Sequence, residues 1–210
     1  MSERPTIECK LNGPYLVKNL NDLRDWRGNC IETKPVMALC RCGGSANKPF
    51  CDGTHLKNGF SGAKLADRST DKRERYQAKR ITIHDNRSIC AHAGHCTDGL
   101  DSVFKYKSEP WIDPGGDAVE AIIETIRRCP SGALSYTLDE VEGGDQQREP
   151  AITVTKDGPY AVVGGAQLLE KSWAQGASTE HYTLCRCGGS KNKPFCDGAH
   201  WSIGFKDENR

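Results

Sequence analysis

The chain carries one stretch of sequence twice, LCRCGGSANKPFCDGTH at Leu39–His55 and LCRCGGSKNKPFCDGAH at Leu184–His200. The second copy follows the first by 145 residues, the distance from Cys40 to Cys185, and the same offset aligns Gly13-Pro14-Tyr15 with Gly158-Pro159-Tyr160 without a gap. A small unit of about 60 residues is therefore present at both ends of the chain, and a different segment lies between the two copies.

Each copy has the sequence pattern of a small β domain. Apolar and polar residues alternate along Ile152–Val154 and Tyr160–Val162, on either side of the turn signal Asp157-Gly158-Pro159, which predicts a β-hairpin. Met37–Leu39 and Tyr182–Leu184 are predicted strands that lead into the cysteines. The cysteine-containing segment that follows is rich in Gly and Pro and has no helical or strand period for most of its length.

The segment between the copies has a different pattern. We predict a strand over Gln77–His84, an amphipathic helix over Asp117–Arg128 and a closing strand over Ala133–Leu138. Asp139–Pro150 is rich in Glu, Gly and Gln and is predicted to be a linker. The expected architecture is three domains, an α+β insert at residues 67–145 between two small β-rich domains at residues 1–66 and 146–210.

The composition agrees with several small domains rather than one large core. The 210 residues include 22 Gly and 10 Pro, and only 36% are hydrophobic. So few hydrophobic residues leave little apolar surface to bury, and metal ligation by some of the eleven cysteines would supply additional folding free energy. An odd cysteine number and the lack of a signal-like stretch at Met1–Lys10 predict a reducing, bacterial-type cytoplasmic location.

The same totals give no indication of binding to nucleic acid or membranes. The net charge is +1, so no strong field attracts a polyanion or an anionic lipid surface. No apolar run approaches the roughly 20 residues that span a bilayer. We therefore predict no nucleic-acid partner and no membrane association.

Each copy contains the pattern Cys-x-Cys-x8-Cys-x3-His. The residues are Cys40, Cys42, Cys51 and His55 in the first copy, and Cys185, Cys187, Cys196 and His200 in the second. Three thiolates and one imidazole bind either a tetrahedral zinc ion or a [2Fe–2S] cluster. Zinc knuckles usually have two to four residues between paired cysteines, so the single-residue gap favours iron–sulfur.

The whole motif resembles the signature of the CDGSH iron–sulfur (NEET, mitoNEET-like) family. The match covers nearly every position of the motif in both copies, with Thr54 or Ala199 where the family has Ser. The resemblance implies a [2Fe–2S] cluster in each copy, held by its three cysteines and its histidine. It also implies a β-rich fold in which two such units pair. We therefore expect an intramolecular pseudo-dimer and a monomeric protein.

Six neighbouring side chains are further candidates for contact with the two clusters. They are Ser45, Lys48 and Asp52 in the first copy and Ser190, Lys193 and Asp197 in the second. The serines and lysines are candidates to hydrogen-bond or neutralise a cluster, although an exposed role for each lysine stays open. The aspartates are candidates to organise backbone amides, or to act as simple turn formers.

The middle segment contains a second kind of ligand pattern. Cys90 and Cys96 fit the first and third positions of a ferredoxin cluster loop, and Cys129, before Pro130, fits the distant fourth position. The run over Lys79–Tyr136 resembles the divergent single-cluster ferredoxin family. The resemblance implies a ferredoxin-like fold and a third iron–sulfur cluster.

Ala93 stands where the second ligand of the loop belongs. Three thiolates suffice for a [3Fe–4S] cluster, which we predict. A [4Fe–4S] cluster would need His92, His95 or a solvent ligand at the fourth corner, and His92 is the possible extra ligand.

Three functions are compatible with these motifs. The first is electron transfer with a redox partner protein, and the second is transfer of labile [2Fe–2S] clusters or iron to an apo iron–sulfur acceptor. The third is a structural module that binds zinc. The sequence contains no catalytic triad, nucleotide-binding loop or paired acid and base, so we do not expect an enzyme.

Overall fold

The computed structural model describes residues 3–170 and 172–207, so the predicted domain ends at residues 1 and 210 lie outside the described residues. The protein is rich in β-structure. The strands are β1 (Thr6–Cys9), β2 (Tyr15–Lys18), β3 (Leu23–Arg24), β4 (Val36–Leu39), β5 (Glu74–Gln77), β6 (Ile81–Asp85), β7 (Leu134–Leu138), β8 (Val141–Gly143), β9 (Ala151–Val154), β10 (Tyr160–Val163), β11 (Gln167–Leu168) and β12 (Tyr182–Leu184).

The helices are few and short. They are α1 (His95–Gly99), α2 (Val119–Arg127) and α3 (Ala199–Ser202), with 3-10 turns at Thr54–Leu56 and Arg87–Ile89. Within the part of the chain that the structure describes, no helix has both the length and the apolar character needed to cross a bilayer.

The repeats form two four-stranded sheets of equivalent topology, and each sheet contains one strand from the other copy. The first has the order β11-β1-β2-β4 and the second β12-β10-β9-β3. In each sheet the strand from the other copy runs parallel to the first strand of the repeat, with Ile7 opposite Leu168 and Leu23 opposite Ile152. The predicted hairpin and the predicted strands at Met37–Leu39 and Tyr182–Leu184 are confirmed by β9, β10, β4 and β12.

The two sheets share one hydrophobic core. Its fully buried members include Ile7, Val17 and Leu39 from the first copy and Ile152, Val162 and Leu184 from the second. A unit of about 60 residues that folds by itself buries only about 60% of the surface that its unfolded chain exposes, so its stability is marginal. A common core therefore stabilises both copies.

At the centre of this core, two tyrosines hold the ligand loop of the opposite copy. The hydroxyl of Tyr15 donates a bifurcated hydrogen bond to the carbonyl oxygens of Cys185 and Pro194, at 2.7 and 3.0 Å. The hydroxyl of Tyr160 does the same with Cys40 and Pro49, both at 2.9 Å. The two rings meet edge to face with centroids 6.1 Å apart. Burial raises the pKa of both phenols well above the usual value, so they stay protonated and able to donate.

The insert has its own sheet and core. Its sheet has the order β5-β6-β7-β8, and α2 packs against β7. Ile122 and Ile126 of α2 lie in the same buried cluster as Ile81 and Ile83 of β6, which confirms the predicted amphipathic helix. The predicted closing strand is likewise confirmed by β7.

Two predictions for the insert are correct only in part. The predicted strand Gln77–His84 is a hairpin of β5 and β6, closed by a hydrogen bond from the amide of Ala78 to the carbonyl oxygen of Ile81 at 2.8 Å. The predicted linker Asp139–Pro150 contains β8, which pairs with β7. Asp139 and Glu140 form the turn before β8, and both have positive φ angles, 45° and 71°, as the type I′ turn of a tight hairpin requires.

We expect Tyr15→Phe to lower the free energy of unfolding by about 1–3 kcal/mol, because the buried carbonyl of Cys185 loses its tyrosine donor. Tyr160→Phe should have a similar effect through Cys40. Calorimetry of the isolated protein measures the change as a lower melting temperature. The control is Tyr106→Phe, at a ring that is 75% exposed. Equal melting temperatures for all three variants would contradict this role of the buried hydroxyls.

Candidate metal centres

Both flanking ligand loops are shaped by the same set of side-chain hydrogen bonds. Ser45 donates to the carbonyl oxygen of Phe50 at 2.7 Å, and the ammonium of Lys48 donates to the carbonyl oxygen of Ser45 at 2.7 Å. The carboxylate of Asp52 accepts from the amides of Ala46 and Thr54 at 2.8 and 3.0 Å. A hydrogen bond from the Thr54 hydroxyl holds the pKa of Asp52 well below its usual range.

The second copy repeats these contacts. Ser190 donates to the carbonyl oxygen of Phe195 at 2.7 Å, and the Lys193 ammonium donates to that of Ser190 at 2.5 Å. Asp197 accepts from the amides of Lys191 and Ala199 at 2.8 and 3.1 Å. The six neighbouring side chains singled out from the sequence thus bond to the backbone of their own loops, and their contact with a bound group stays a prediction.

Within each loop, the four predicted ligands form two pairs. The Sγ atoms of the first two cysteines are 3.9 Å apart in the first copy and 3.7 Å apart in the second. The Sγ atom of Cys51 lies 3.4 Å from Nδ1 of His55, and that of Cys196 lies 3.5 Å from Nδ1 of His200. The histidines therefore present Nδ1, rather than Nε2, beside the thiols.

These separations match two donors on one tetrahedral ion. With metal–sulfur and metal–nitrogen bonds of about 2.3 and 2.0 Å, such donors lie roughly 3.8 Å apart for two sulfurs and roughly 3.5 Å for sulfur and nitrogen. Among the described residues, however, no three Cys or His donors lie within 4.8 Å of one another. Each loop thus presents two pairs of donors, each suited to one metal ion, and not four donors around a single ion.

The chemistry of the donors also fits a bound cationic group. Burial raises the pKa of the Cys40 thiol to about 11 and that of Cys196 well above its usual value, so these two thiols hold their protons at neutral pH. A hydrogen bond with Cys187 instead lowers the pKa of Cys185 to about 6. A metal ion displaces those protons and stabilises the thiolates. Burial lowers the pKa of His200, which keeps its imidazole neutral and able to donate a lone pair.

The two loops meet back to back. Cys42 and Cys187 face each other in an isolated antiparallel bridge, which places their Cα atoms about 5 Å apart. A Cβ at Gly43 would lie 2.5 Å from the carbonyl oxygen of Cys187, and one at Gly188 would lie 2.6 Å from that of Cys42. The two glycines are needed because the ligand loops touch through their backbones.

The middle ligand set is brought together by three short elements of the insert. Cys90 follows the 3-10 turn at Arg87–Ile89, Cys96 lies in α1, and Cys129 lies just after α2. All three line one cavity of about 750 Å³. The cavity is also lined by the other predicted residues of this loop, which are His92, Ala93 and His95.

The electrostatics of this cavity favour a bound cationic cluster. Burial raises the pKa of Cys90 to about 11 and raises that of Cys96, and the neighbouring Cys129 sulfur acts in the same direction on both. The three thiolates would therefore repel one another unless a metal group lay between them. The Arg87 guanidinium lies 3.7 Å from the Sγ atom of Cys90 and donates to it.

Comparison with protein-family models agrees with both patterns. Residues 12–56 and 157–201 match the model described as "Iron-binding zinc finger CDGSH type", and residues 76–139 match "Divergent 4Fe-4S mono-cluster". The chain belongs to the CDGSH iron-binding family. Two CDGSH domains flank a divergent 4Fe-4S mono-cluster domain, and the protein is an iron–sulfur protein.

Comparison with curated proteins finds a bacterial relative. The chain is 39% identical over 61 residues to "Uncharacterized protein YjdI" of Escherichia coli strain K12, a match that covers 29% of this chain and 80% of YjdI. The YjdI protein of strain O157:H7 matches with the same identity and coverage. No solved structure matches the chain.

The arginine between the first two cysteines of each CDGSH domain is a site residue that sequence analysis missed. Arg186 is buried and forms an ion pair with Asp207, and it also donates to the carbonyl oxygen of Gly158 at 2.7 Å. Arg41 is buried at the equivalent position and donates to the carbonyl oxygen of Gly62 at 3.1 Å. The presence of the same Cys-Arg-Cys sequence in both copies could have indicated that this arginine belongs to the site.

The contact between the second CDGSH domain and the insert could not be predicted from the sequence either. The indole nitrogen of Trp201 donates to the carbonyl oxygen of His92 at 3.2 Å, and a Cβ added at Gly198 would clash with the His92 ring. In the first CDGSH domain, Leu56 occupies the position of Trp201 and is 81% exposed. The insert therefore packs against one CDGSH domain at its ligand loop.

A matched pair of substitutions measures this contact. Gly198 and Gly53 occupy equivalent positions and have similar φ angles, +83° and +87°, but a Cβ at Gly53 would meet nothing within 4 Å. Both Gly→Ala variants carry the same backbone strain, of about 1–2 kcal/mol. We expect Gly198→Ala to lower the melting temperature further than Gly53→Ala, because only Gly198→Ala also displaces His92. Equal shifts would contradict the contact.

Proposed function

We propose that this protein transfers electrons by means of two [2Fe–2S] clusters and one cuboidal cluster. The first [2Fe–2S] cluster is assigned to Cys40, Cys42, Cys51 and His55, and the second to Cys185, Cys187, Cys196 and His200. The cuboidal cluster is assigned to Cys90, Cys96 and Cys129. The observation that carries the proposal is the division of each flanking ligand set into two donor pairs, since a binuclear cluster requires one pair for each iron.

The zinc alternative is less well supported by the same geometry. A structural zinc ion needs four donors around one point, each pair roughly 3.5–3.8 Å apart. The donors of each flanking loop meet that distance only within pairs, and no three of them lie within 4.8 Å. The division into pairs favours two metal ions at each site.

The ligand set also suits one-electron chemistry. A bound iron–sulfur cluster supplies a one-electron couple, and a neutral imidazole in place of a fourth thiolate leaves the site less negative, which makes reduction easier. The flanking sites adjoin at Cys42 and Cys187, and the cavity of the middle site has Asp197 and Gly198 of the second loop in its wall. Electron transfer requires centres that lie close together, so this proximity supports the proposal.

The number of irons in the middle cluster is open to two assignments. Three cysteine ligands fully satisfy [3Fe–4S], and Ala93 supplies no ligand atom. The matching family description names a 4Fe-4S cluster, and His92 and His95 lie on the same cavity, which favours a [4Fe–4S] cluster with a histidine or solvent at its fourth corner. We propose a cuboidal cluster on the three cysteines, and iron counting decides between the two forms.

We further propose that the two CDGSH domains form a pseudo-dimer within one chain and that the protein is a monomer. The exchanged strands β3 and β11, the shared core and the reciprocal bonds of Tyr15 and Tyr160 support this proposal. The three-domain division at residues 1–66, 67–145 and 146–210 and the ferredoxin-like α+β character of the insert are part of the same proposal.

We propose a non-enzymatic role in the bacterial cytoplasm with a redox partner protein. A net charge of +1 supports the absence of a nucleic-acid or membrane partner.

Cluster transfer to an apo-protein is the second candidate function. It is favoured by the partial exposure of Cys51 and His55 in the first loop, which leaves these donors within reach of an acceptor. Mixing the protein with an apo-ferredoxin and identifying which protein holds the cluster separates transfer of clusters from transfer of electrons.

We expect the isolated protein to contain about seven or eight irons per chain, two from each [2Fe–2S] cluster and three or four from the middle one. If the middle cluster is [3Fe–4S], the oxidised protein gives an electron paramagnetic resonance signal near a g value of about 2, which oxidised [2Fe–2S] clusters do not give. Ala93→Cys should then abolish that signal by completing a [4Fe–4S] site. A colourless protein with about one zinc ion in each flanking site would contradict the iron–sulfur assignment.

A further inference from the structure

The two flanking sites differ in exposure although their motifs are nearly identical. Cys196 and His200 are 2% and 5% exposed, respectively. Cys51 and His55, at the equivalent positions, are only half-buried. The third and fourth ligands are therefore accessible from solvent in the first CDGSH domain and covered in the second.

Trp201 contributes to the cover of His200. Its ring lies beside the imidazole of His200, with centroids 5.3 Å apart. Its indole N–H is fixed by the carbonyl oxygen of His92 at 3.2 Å, so the ring is held over the ligand by the insert. The outer part of the indole stays in solvent, since the residue is 66% exposed.

Two further contacts hold the insert against the same loop. The His92 ring lies against Gly198, and this glycine stands between Cys196 and His200 in the sequence. The side-chain amide of Asn192 is buried and donates to the carbonyl oxygen of Ser88 at 2.7 Å.

The first loop has none of these contacts in the described part of the chain. Leu56 stands in place of Trp201 and is 81% exposed. A Cβ at Gly53 would meet nothing within 4 Å, and Asn47 is exposed where Asn192 is buried.

We propose that Trp201, held by His92 of the insert, caps the second CDGSH site, so that the two flanking sites exchange with their surroundings at different rates. The capped site retains its metal group. The first site is the one that solvent, a small chelator or the thiols of an acceptor protein reach. The inference rests on the proposed function, since it assumes that both sites hold iron–sulfur groups. Trp201 acts through its cover of His200 and is a positioning residue.

Thiol footprinting of the isolated iron-loaded protein tests the cap directly. The protein is incubated with the iron chelator bathophenanthroline disulfonate, and samples taken over time are alkylated with N-ethylmaleimide and digested. Mass spectrometry then gives the labelling rates of Cys51 and Cys196, which lie in peptides of different sequence. We expect Cys51 to be labelled about tenfold faster, the ratio that 1.4 kcal/mol of protection produces.

Substitutions of Trp201 test whether the cap causes the difference between the labelling rates of Cys51 and Cys196. Trp201→Ala should raise the labelling rate of Cys196 towards that of Cys51, and Trp201→Phe, which keeps a ring but loses the N–H donor, should give an intermediate rate. The matched control is Leu56→Ala, which should leave both rates unchanged because the Leu56 side chain is 81% exposed.

Equal labelling rates in the unmodified protein would overturn the inference, and so would an unchanged Cys196 rate in both Trp201 variants. A protein isolated without iron or acid-labile sulfide would instead overturn the proposed function, and the inference with it. The iron and sulfide content of the starting sample distinguishes the two failures.

Discussion

Two buried tyrosine hydroxyls hold the ligand loops of the opposite repeat, and the arrangement of the metal centres depends on this exchange. Tyr15 and Tyr160 each donate to the carbonyl oxygen of the first cysteine of the other loop. A buried carbonyl without a donor is costly, so each loop is stabilised by the presence of the other copy. The exchanged strands and the shared core reinforce the same dependence.

This constraint explains why a Gly- and Pro-rich loop can present metal ligands in a defined geometry. The loop has little regular structure of its own, yet its donors lie in pairs at separations that suit a tetrahedral ion. The buried thiols of Cys40 and Cys196 hold their protons until a cation replaces them. Binding of the metal group and folding of the loop are therefore coupled, and the bond from the opposite tyrosine contributes to both.

The local elements were largely predictable from the sequence, whereas contacts between distant segments were not. The repeated motif and the period of Val119–Arg127 predicted the strands that flank the cysteines and the helix α2. The hairpin of β5 and β6 was missed because its turn, at Ala78-Lys79-Arg80, contains no Gly, Asn or Pro. The exchanged strands have only two residues each, too short to carry a period. The cap was missed although Trp201 and Leu56 already differ between otherwise similar motifs, since nothing local shows that Trp201 meets His92.

The central claim is that the two CDGSH domains pair within one chain, so that a single molecule contains the complete arrangement of centres. Light scattering of the iron-loaded protein during size-exclusion chromatography tests this claim most directly. The account predicts a monomer of 23.1 kDa whose mass does not change with protein concentration. An obligate dimer of about twice that mass would contradict it, because exchange of the tyrosine contacts between chains produces such a dimer.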